Sequence, residues 1–317
     1  MGHRRRRDVG ADARPTPSRH VTDDPDVLSG QVFAVAGSSR GIGAALVVRL
    51  AELGAAVVVN GRDRYVVEQT VAIVRAAGGR AEPVVGSASD AAVAHALVRT
   101  AVESFGRLDG VANCAGVAEP PASSVLTMDS EVFSDVVASH LTSAFEVARA
   151  AAPVLAEAGG GSIVLSGSAA ALGVFGGSAY PAAKAGVTGL ALAAAADLRD
   201  LGVRVNVVMP GARTRLSTGE DYHRHIDGLR DRGILDAGTH AAAADPAPAE
   251  YVTSVYAYLL SRASAPLTGE VFSAAGNFLG RYAPAELQLL AYADHDDTPP
   301  MTLAQVGEAM AEVSGPR

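Results

Sequence analysis

The 317 residues carry 26 basic and 34 acidic side chains, a net charge of −8, and 49% of them are hydrophobic, enough for a sizeable core. The acidic balance argues against binding to nucleic acid or to an anionic membrane, and no apolar run is long enough to span a bilayer. A single cysteine, Cys114, excludes an internal disulfide framework and favours a cytoplasmic location.

The chain begins with a polar stretch and then changes to alternating strands and helices. Residues 1–29 contain proline and no periodic apolar pattern, so we expect a disordered arm there. Short β-branched runs predict strands at 31–36, 55–60, 81–85, 108–113, 162–166, 203–208 and 270–274. Alanine-rich segments predict helices at 41–53, 63–77, 90–105, 129–157, 178–201 and 247–261. Helices between buried strands imply parallel pairing, hence a doubly wound α/β sheet in one domain over residues 30–282.

Two segments lie outside this alternation. Residues 212–246 are polar and follow the carboxyl end of a strand, where α/β sheets bind ligands, so we expect a substrate lid there. His223 and His225 lie in it, but no third ligand is evident and no metal site is expected. Residues 283–317 predict a small helical tail, with a capping box and an apolar face formed by Thr302 and Gln305 and by Leu303, Val306 and Met310.

The stretch "VFAVAGSSRGIGAAL" runs from the first strand through glycines into a helix. Gly37 permits the tight turn, Gly41 lets the backbone approach a phosphate, and Gly43 lets helix and strand pack closely. The helix N-terminus then offers free N–H groups to a pyrophosphate. An ordinary β–α turn is the alternative reading. The predicted cofactor residues here are Gly37, Ser39, Arg40, Gly41, Ile42 and Gly43.

The end of the second strand bears on the choice of cofactor. An acidic residue there would bind the ribose 2′-hydroxyl of NAD, but the chain reads Asn60, Gly61, Arg62. Arg62 and Arg40 suit a 2′-phosphate, which favours NADP(H). NAD(H) stays an alternative, because Asp63 is close and both arginines could be ordinary surface residues of an arginine-rich chain.

Lys184 is the only lysine of the chain, and it follows Tyr180 by four residues on a predicted helix. Residues four apart share a helix face, and a nearby ammonium stabilises a phenolate. The pattern therefore predicts that Lys184 lowers the pKa of Tyr180 from about 10 toward neutrality. Tyr180 would then exchange a proton with a substrate oxygen as hydride moves at the adjacent carbon. Taken alone, the same spacing could be any helix surface.

The motifs in chain order resemble the short-chain dehydrogenase/reductase family over about residues 30–282. They are the glycine loop, "NCAG" at 113–116, "YPAAK" at 180–184 and "NVVMPG" at 206–211. The resemblance implies a Rossmann-type sheet of seven parallel strands, NAD(P)(H), a Tyr–Lys–Ser catalytic group and a homodimer or homotetramer. It adds to the cofactor site Asn113, Ala115, Gly116, Pro210, Gly211 and Thr214, and places Tyr180 and Lys184 there too.

Longer stretches, among them "SHLTSAFEVARAAAP" and "GEVFSAAGNFLGRY", look like a subgroup of that family. It contains the hydroxyacyl-CoA dehydrogenase part of the type 2 multifunctional β-oxidation enzyme and its single-domain bacterial relatives. His140 stands where the wider family has an asparagine that supports a proton relay to the lysine. The position of the family's serine, thirteen residues before the tyrosine, is Gly167, and Ser168 or Ser166 must replace it; Ser168 is favoured.

We therefore predict an NADP-preferring oxidoreductase that interconverts a secondary alcohol and a ketone. The small-molecule substrate would be a 3-hydroxyacyl or 3-ketoacyl thioester, or another bulky hydroxy or keto compound. The alternative is a cofactor-binding sensor or scaffold with little turnover. Gly167 motivates it, as does Ser87, which stands where the family usually has an adenine-contacting aspartate.

Overall fold

In the computed structural model, the described residues are 26–120, 123–311 and 313, and the chain divides into two units, Met1–Tyr282 and Ala283–Arg317. A sheet of eight strands forms the centre of the first unit. Its strands are β1 (Val32–Ala36), β2 (Ala56–Gly61), β3 (Arg80–Val85), β4 (Gly110–Asn113), β5 (Gly161–Ser166), β6 (Val203–Gly211), β7 (Val271–Ala275) and β8 (Phe278–Tyr282). They lie in the order β3-β2-β1-β4-β5-β6-β7-β8.

The sheet confirms the predicted Rossmann-type topology and adds one strand to it. Strands β1 to β7 pair in parallel, as predicted. The eighth strand, β8, pairs antiparallel with β7 at the edge and was not predicted. It follows a two-residue turn in which Gly276 has a φ of +53°, and this turn reverses the direction of the chain after β7.

Helices connect the strands and cover both faces of the sheet. They are α1 (Gly41–Glu52), α2 (Arg64–Ala76), α3 (Ala91–Phe105), α4 (Ser130–Val137), α5 (Ser143–Glu157), α6 (Ala179–Asp197), α7 (Glu220–Asp231), α8 (Ala237–Ala244), α9 (Glu250–Leu260) and, in the second unit, α10 (Leu303–Ala311). The single helix predicted over 129–157 is interrupted by a π-helical turn at Ala138–Thr142. Within the described ranges, no helix is long and apolar enough to cross a membrane.

The two faces of the sheet carry separate cores because side chains alternate along each strand. On β1, Phe33 and Val35 join one core with α1 and α9, whereas Ala34 and Ala36 join the other with α3 and α5. All five side chains of β1 are buried, as are all six of β2. Burial on both faces is why these strands are continuous apolar runs in the sequence.

Aspartate side chains fix the start of four helices, and in α8 the capping residue is Asp236, which accepts from the Thr239 N–H. Asp63, Asp90 and Asp129 each accept hydrogen bonds from backbone N–H groups in the first turn of α2, α3 and α4. The two helices that begin at the predicted site, α1 and α6, lack such a cap from their own N-cap residue. Their N–H groups are therefore available to other partners.

The predicted boundaries of the first unit need one correction. Residues 26–30 form a turn, and Leu28 is 2% exposed in the core with its N–H donating to the Leu53 carbonyl. The domain thus begins at least four residues before the predicted residue 30, because Leu28 packs although its neighbours are polar. The rest of the predicted arm, residues 1–25, lies outside the described residues.

The second unit contains the predicted tail helix, α10. Its capping box forms as expected: the Thr302 N–H donates to Gln305 Oε1 at 2.8 Å, and the Gln305 N–H donates to Thr302 Oγ1 at 3.3 Å. Of the predicted apolar face, Val306 is half-buried, and Leu303 and Met310 are exposed.

Candidate active site

A cavity of about 1440 Å³ opens at the carboxyl ends of the parallel strands. Pockets for a single small ligand usually measure about 300–1,000 Å³, so this one has room for a dinucleotide and a substrate together. It lies where the strand order reverses between β1 and β4, the usual ligand site of a doubly wound sheet. Residues 214–222 of the predicted lid line it, and helices α7 and α8 give that polar segment a fold of its own.

The glycine loop has the close approaches that the sequence predicts. Gly37 has a φ of +68°, and a Cβ there would lie 2.5 Å from the Ala115 backbone. A Cβ on Gly43 would overlap the Gly37 carbonyl oxygen. The N-cap residue of α1, Arg40, makes no side-chain hydrogen bond to the first turn of the helix, and that turn contains no acidic residue. Because its N–H groups face the cavity without a competing carboxylate, this turn fits a pyrophosphate.

Most predicted cofactor residues line the cavity, and two act from behind it. Those in its wall are Gly37, Ser39, Arg40, Gly41, Ile42, Arg62, Ala115, Gly116, Tyr180, Lys184, Pro210, Gly211 and Thr214. Gly43 and Asn113 are not in the wall. The Asn113 side chain is buried, donating from Nδ2 to Ser143 Oγ at 3.0 Å and accepting from the Ala115 N–H at 3.0 Å. It therefore supports the loop after β4 from behind the cavity wall.

The far end of the cavity holds both acidic and basic side chains. Arg40 is paired with Asp63 at 3.3 Å, and Asp63 also caps α2. Arg62 is exposed, lines the cavity and makes no ion pair with any described residue. Of the two guanidiniums predicted to receive a 2′-phosphate, that of Arg40 is already paired with Asp63. That of Arg62 has no ion-pair partner among the described residues. Asn60, which the sequence analysis had not assigned to the site, accepts from the Gly37 N–H and donates to the Val84 and Gly86 carbonyls.

Tyr180, Ser168 and Lys184 come together on one wall of the cavity. The Ser168 side chain lies beside the Tyr180 phenol, and both line the cavity. Lys184 Nζ lies 5.8 Å from the centre of the Tyr180 ring and donates to the Ser166 carbonyl oxygen at 2.7 Å. Helix α6 carries the tyrosine and the lysine one turn apart, as the spacing predicts, and the serine comes from the loop after β5.

The electrostatics of this group differ from the prediction. Burial raises the pKa of the Tyr180 phenol, and the neighbouring Ser168 side chain only partly offsets this, so the expected lowering toward neutrality is not found. Burial also lowers the pKa of Lys184 to about 8. Both shifts have one cause: each side chain is enclosed, and enclosure disfavours the charged form of each. The prediction from sequence considered only the attraction between the ammonium and the phenolate and did not include this desolvation.

The structure distinguishes the two serines. Ser166 also lines the cavity, but its Oγ hydrogen-bonds the buried Tyr256 hydroxyl at 2.8 Å. The Ser168 side chain instead lies beside the Tyr180 phenol, and its Oγ accepts from the Ala170 N–H. Gly167 points into the core, where a Cβ would lie 2.7 Å from a Val207 methyl group. A serine at 167 would thus be misdirected, and the hydroxyl beside the tyrosine is that of Ser168.

This arrangement predicts opposite results for two alanine variants. Ser168→Ala removes a neutral hydrogen bond of about 0.5–1.5 kcal/mol from the reacting oxygen, so kcat should fall up to about ten-fold while the melting temperature changes little. Ser166→Ala should lower the melting temperature, because the Tyr256 hydroxyl loses its buried partner, with a smaller effect on kcat. Steady-state kinetics and thermal unfolding of both variants test this. A larger kcat loss in Ser166→Ala would reverse the assignment.

His140 lies in the π-helical turn beside Tyr180. Its ring meets that of Tyr180 edge to face, with centroids 4.9 Å apart, and its Nε2 lies 2.8 Å from the Val117 carbonyl oxygen. Burial lowers its pKa to about 3, so the imidazole is neutral at physiological pH. Its buried Nδ1 has no hydrogen-bond partner among the described residues. A neutral imidazole with a free nitrogen suits the relay role predicted for it.

The comparisons with known proteins agree with this geometry. A family model described as short chain dehydrogenase matches residues 31–221. The short-chain reductase protein NovJ of Streptomyces niveus is 34% identical over 258 residues, covering 80% of this chain and 96% of that protein. The hydroxyacyl-CoA dehydrogenase ChsB1 of Mycobacterium tuberculosis is 34% identical over 300 residues, covering 90% of each.

A solved structure shows the same fold. A short chain dehydrogenase from Mycobacterium avium matches with a TM-score of 0.74 and 28% identity, over 90% of this chain and 95% of that one. The predicted resemblance, including that to hydroxyacyl-CoA dehydrogenases, is confirmed.

Proposed function

The chain belongs to the short-chain dehydrogenase family, and from that premise we propose that it is an NADP(H)-preferring oxidoreductase interconverting a secondary alcohol and a ketone. The observation that carries the proposal is the grouping of Tyr180, Ser168 and Lys184 in the wall of the cavity that the glycine loop borders. A tyrosine, a serine and a lysine assembled in this way favour turnover over the sensor or scaffold alternative.

Each side chain has a definite part in the reaction. A bound nicotinamide cofactor supplies or accepts the hydride. The Ser168 and Tyr180 hydroxyls together hold the substrate oxygen, and Tyr180 donates a proton to it in ketone reduction or removes one in alcohol oxidation. Lys184, protonated below about pH 8, favours the phenolate form that oxidation requires. His140, neutral and buried, supports proton movement behind the tyrosine.

The substrate side of the cavity favours a bulky, mostly apolar compound. Its apolar lining residues include Phe175, Leu216, Tyr222, Phe278, Ala242 and Ala243. A 3-ketoacyl or 3-hydroxyacyl thioester fits this description, and the relatives named a short-chain reductase and a hydroxyacyl-CoA dehydrogenase support it. Initial rates with NADPH should be compared for a 3-ketoacyl thioester, a bulky cyclic ketone and a short ketone. Preference for the short ketone would contradict the proposed class.

The cofactor preference rests on Arg62. Arg62→Asp should weaken NADPH binding about 10- to 100-fold, the effect of losing a charged hydrogen bond of about 1.5–3 kcal/mol, and should leave NADH binding less affected. Fluorescence titration with both cofactors measures this. Arg64→Asp is the matched control: it makes the same charge change two residues away, outside the cavity wall. If the two variants change NADPH binding equally, or if neither changes it, the preference for NADP(H) is contradicted and NAD(H) becomes the expected cofactor.

We also propose a homodimer or homotetramer in the cytoplasm. Helices α4, α5 and α6 leave large apolar side chains exposed, namely Phe133, Phe145 and Leu192, and a second copy could cover them. The single cysteine supports the location. Light scattering after size-exclusion chromatography tests the assembly, and a monomer at micromolar concentration would contradict it.

A further inference from the structure

The Glu119 carboxylate, in the loop after β4, receives five hydrogen bonds from described residues. Its Oε1 accepts from the Ser178 N–H at 2.8 Å, the Ser178 hydroxyl at 3.1 Å, the Ala179 N–H at 3.3 Å and the Ser123 hydroxyl at 2.9 Å. Its Oε2 accepts from the Tyr180 N–H at 2.8 Å. One side chain thus binds the whole start of the helix that carries the catalytic tyrosine.

Helix α6 needs such a partner. The first N–H groups of a helix have no intrahelical acceptor. Ser178, at the N-cap position, makes no side-chain cap to the helix, and the first turn of α6 contains no acidic residue. Glu119 supplies the missing acceptor and the negative charge from a position 61 residues before Tyr180.

The carboxylate lies in the cavity wall and is charged at neutral pH. Burial raises the pKa of Glu119, but the hydrogen bonds from Tyr180, Ser123 and Ser178 outweigh burial and bring the pKa below its ordinary value. Glu119 also lies against Gly177, where a Cβ would be 3.1 Å from its Oε2. A side chain at 177 would therefore crowd the carboxylate.

We propose that Glu119 is a positioning residue for the reaction: it fixes the backbone of Tyr180 and ties the loop after β4 to the first turn of α6. This inference rests on the proposed function, since Tyr180 must reach the substrate oxygen for the positioning to matter. A catalytic group displaced by about 1 Å can lose about 10²-fold in rate. The position of the Tyr180 phenol therefore depends on the position of the loop after β4, which forms part of the cavity wall.

We call the hydrogen bonds that Glu119 accepts from the start of α6 the clamp. Its chemistry makes glutamine an informative substitution. Both carboxylate oxygens accept hydrogen bonds, so an amide in their place must direct its NH₂ group at an N–H donor. Glu119→Gln keeps the size and removes one acceptor and the charge. Glu131→Gln is the matched control, because Glu131 is an exposed acidic residue in the first turn of α4 whose side chain makes no hydrogen bond or ion pair with the described residues of α6.

The experiment measures catalysis and the clamp separately. For Glu119→Gln we expect kcat to fall about 10- to 100-fold, with the NADPH dissociation constant and the substrate KM changed less than about two-fold. Amide hydrogen exchange in the peptide spanning residues 177–184 should be faster than in the wild type. Glu131→Gln should match the wild type in all of these measurements.

Two results would overturn the proposal. One is unchanged kcat and unchanged exchange at the start of α6 in Glu119→Gln. The other is a parallel loss of kcat, NADPH affinity and melting temperature, which marks a general structural role. If the wild type turns over no ketone, the proposed function fails, and the exchange measurement still decides whether the clamp exists.

Discussion

Replacing Tyr180 by phenylalanine is expected to lower kcat about 10²- to 10⁴-fold, the usual contribution of a positioned general acid–base group. Phenylalanine keeps the ring, so its edge-to-face contact with His140 and its place on α6 should be retained. NADPH affinity should change little, since only the hydroxyl is removed. Steady-state kinetics and NADPH titration of the same preparation measure both quantities.

A control variant and a limit on residual activity sharpen this prediction. Tyr222→Phe removes another cavity phenol, one that donates to the Ala243 carbonyl rather than contacting Ser168, and should retain most of the activity. Retention of more than about a tenth of the wild-type kcat in Tyr180→Phe would mean that another group transfers the proton.

Substitution of the only lysine should separate activity from stability. Lys184→Met is expected to lower kcat about 10- to 100-fold, as for a lost charged hydrogen bond. Lys184→Arg should lose activity too, because the side chain is only 5% exposed and a planar guanidinium is larger than the ammonium it replaces. Activity retained in Lys184→Arg would show that charge alone suffices and would leave the lone lysine unexplained.

The stability of the methionine variant should depend on pH in a defined direction. The pKa of Lys184 is lowered by burial to about 8, whereas in the unfolded chain it is near 10.5. Between these values the unfolded chain binds the extra proton, so this group makes the wild type more stable as the pH rises from 8 to 10.5. Below pH 8 the buried charge opposes folding.

Lys184→Met should therefore melt at the same temperature as the wild type or higher at pH 7, although it loses the bond to the Ser166 carbonyl. Its advantage should shrink as the pH approaches 10. Thermal unfolding of both proteins over this range measures the difference. An advantage that grows with pH would contradict the lowered pKa.

The parts of the structure that were predictable depend on local pattern. The strands β1 and β2 are continuous apolar runs, and the glycines after β1 each meet a steric demand at the turn. Tyr180 and Lys184 share a helix face because four residues make about one turn. Each of these features involves residues close together in the chain, so composition and spacing suffice to find them.

The parts that were missed depend on contacts between distant residues. Glu119 reads as an ordinary loop glutamate until α6 is placed beside it, and Tyr256 reads as part of an apolar helix although its hydroxyl holds Ser166. The raised pKa of Tyr180 follows from enclosure by several elements, which spacing on one helix does not show. The edge strand β8 was missed because most of its side chains are exposed and because it follows a very short turn.

The central claim is that this chain catalyses hydride transfer at a cavity built around Tyr180. The most direct test is to add a 3-ketoacyl thioester to the wild-type protein with NADPH and to follow both NADPH and the hydroxy product. The account predicts saturable turnover in which one NADPH is consumed for each hydroxyacyl thioester formed. Saturable binding of NADPH, with no oxidation by the thioester or by a panel of bulky ketones, would contradict it.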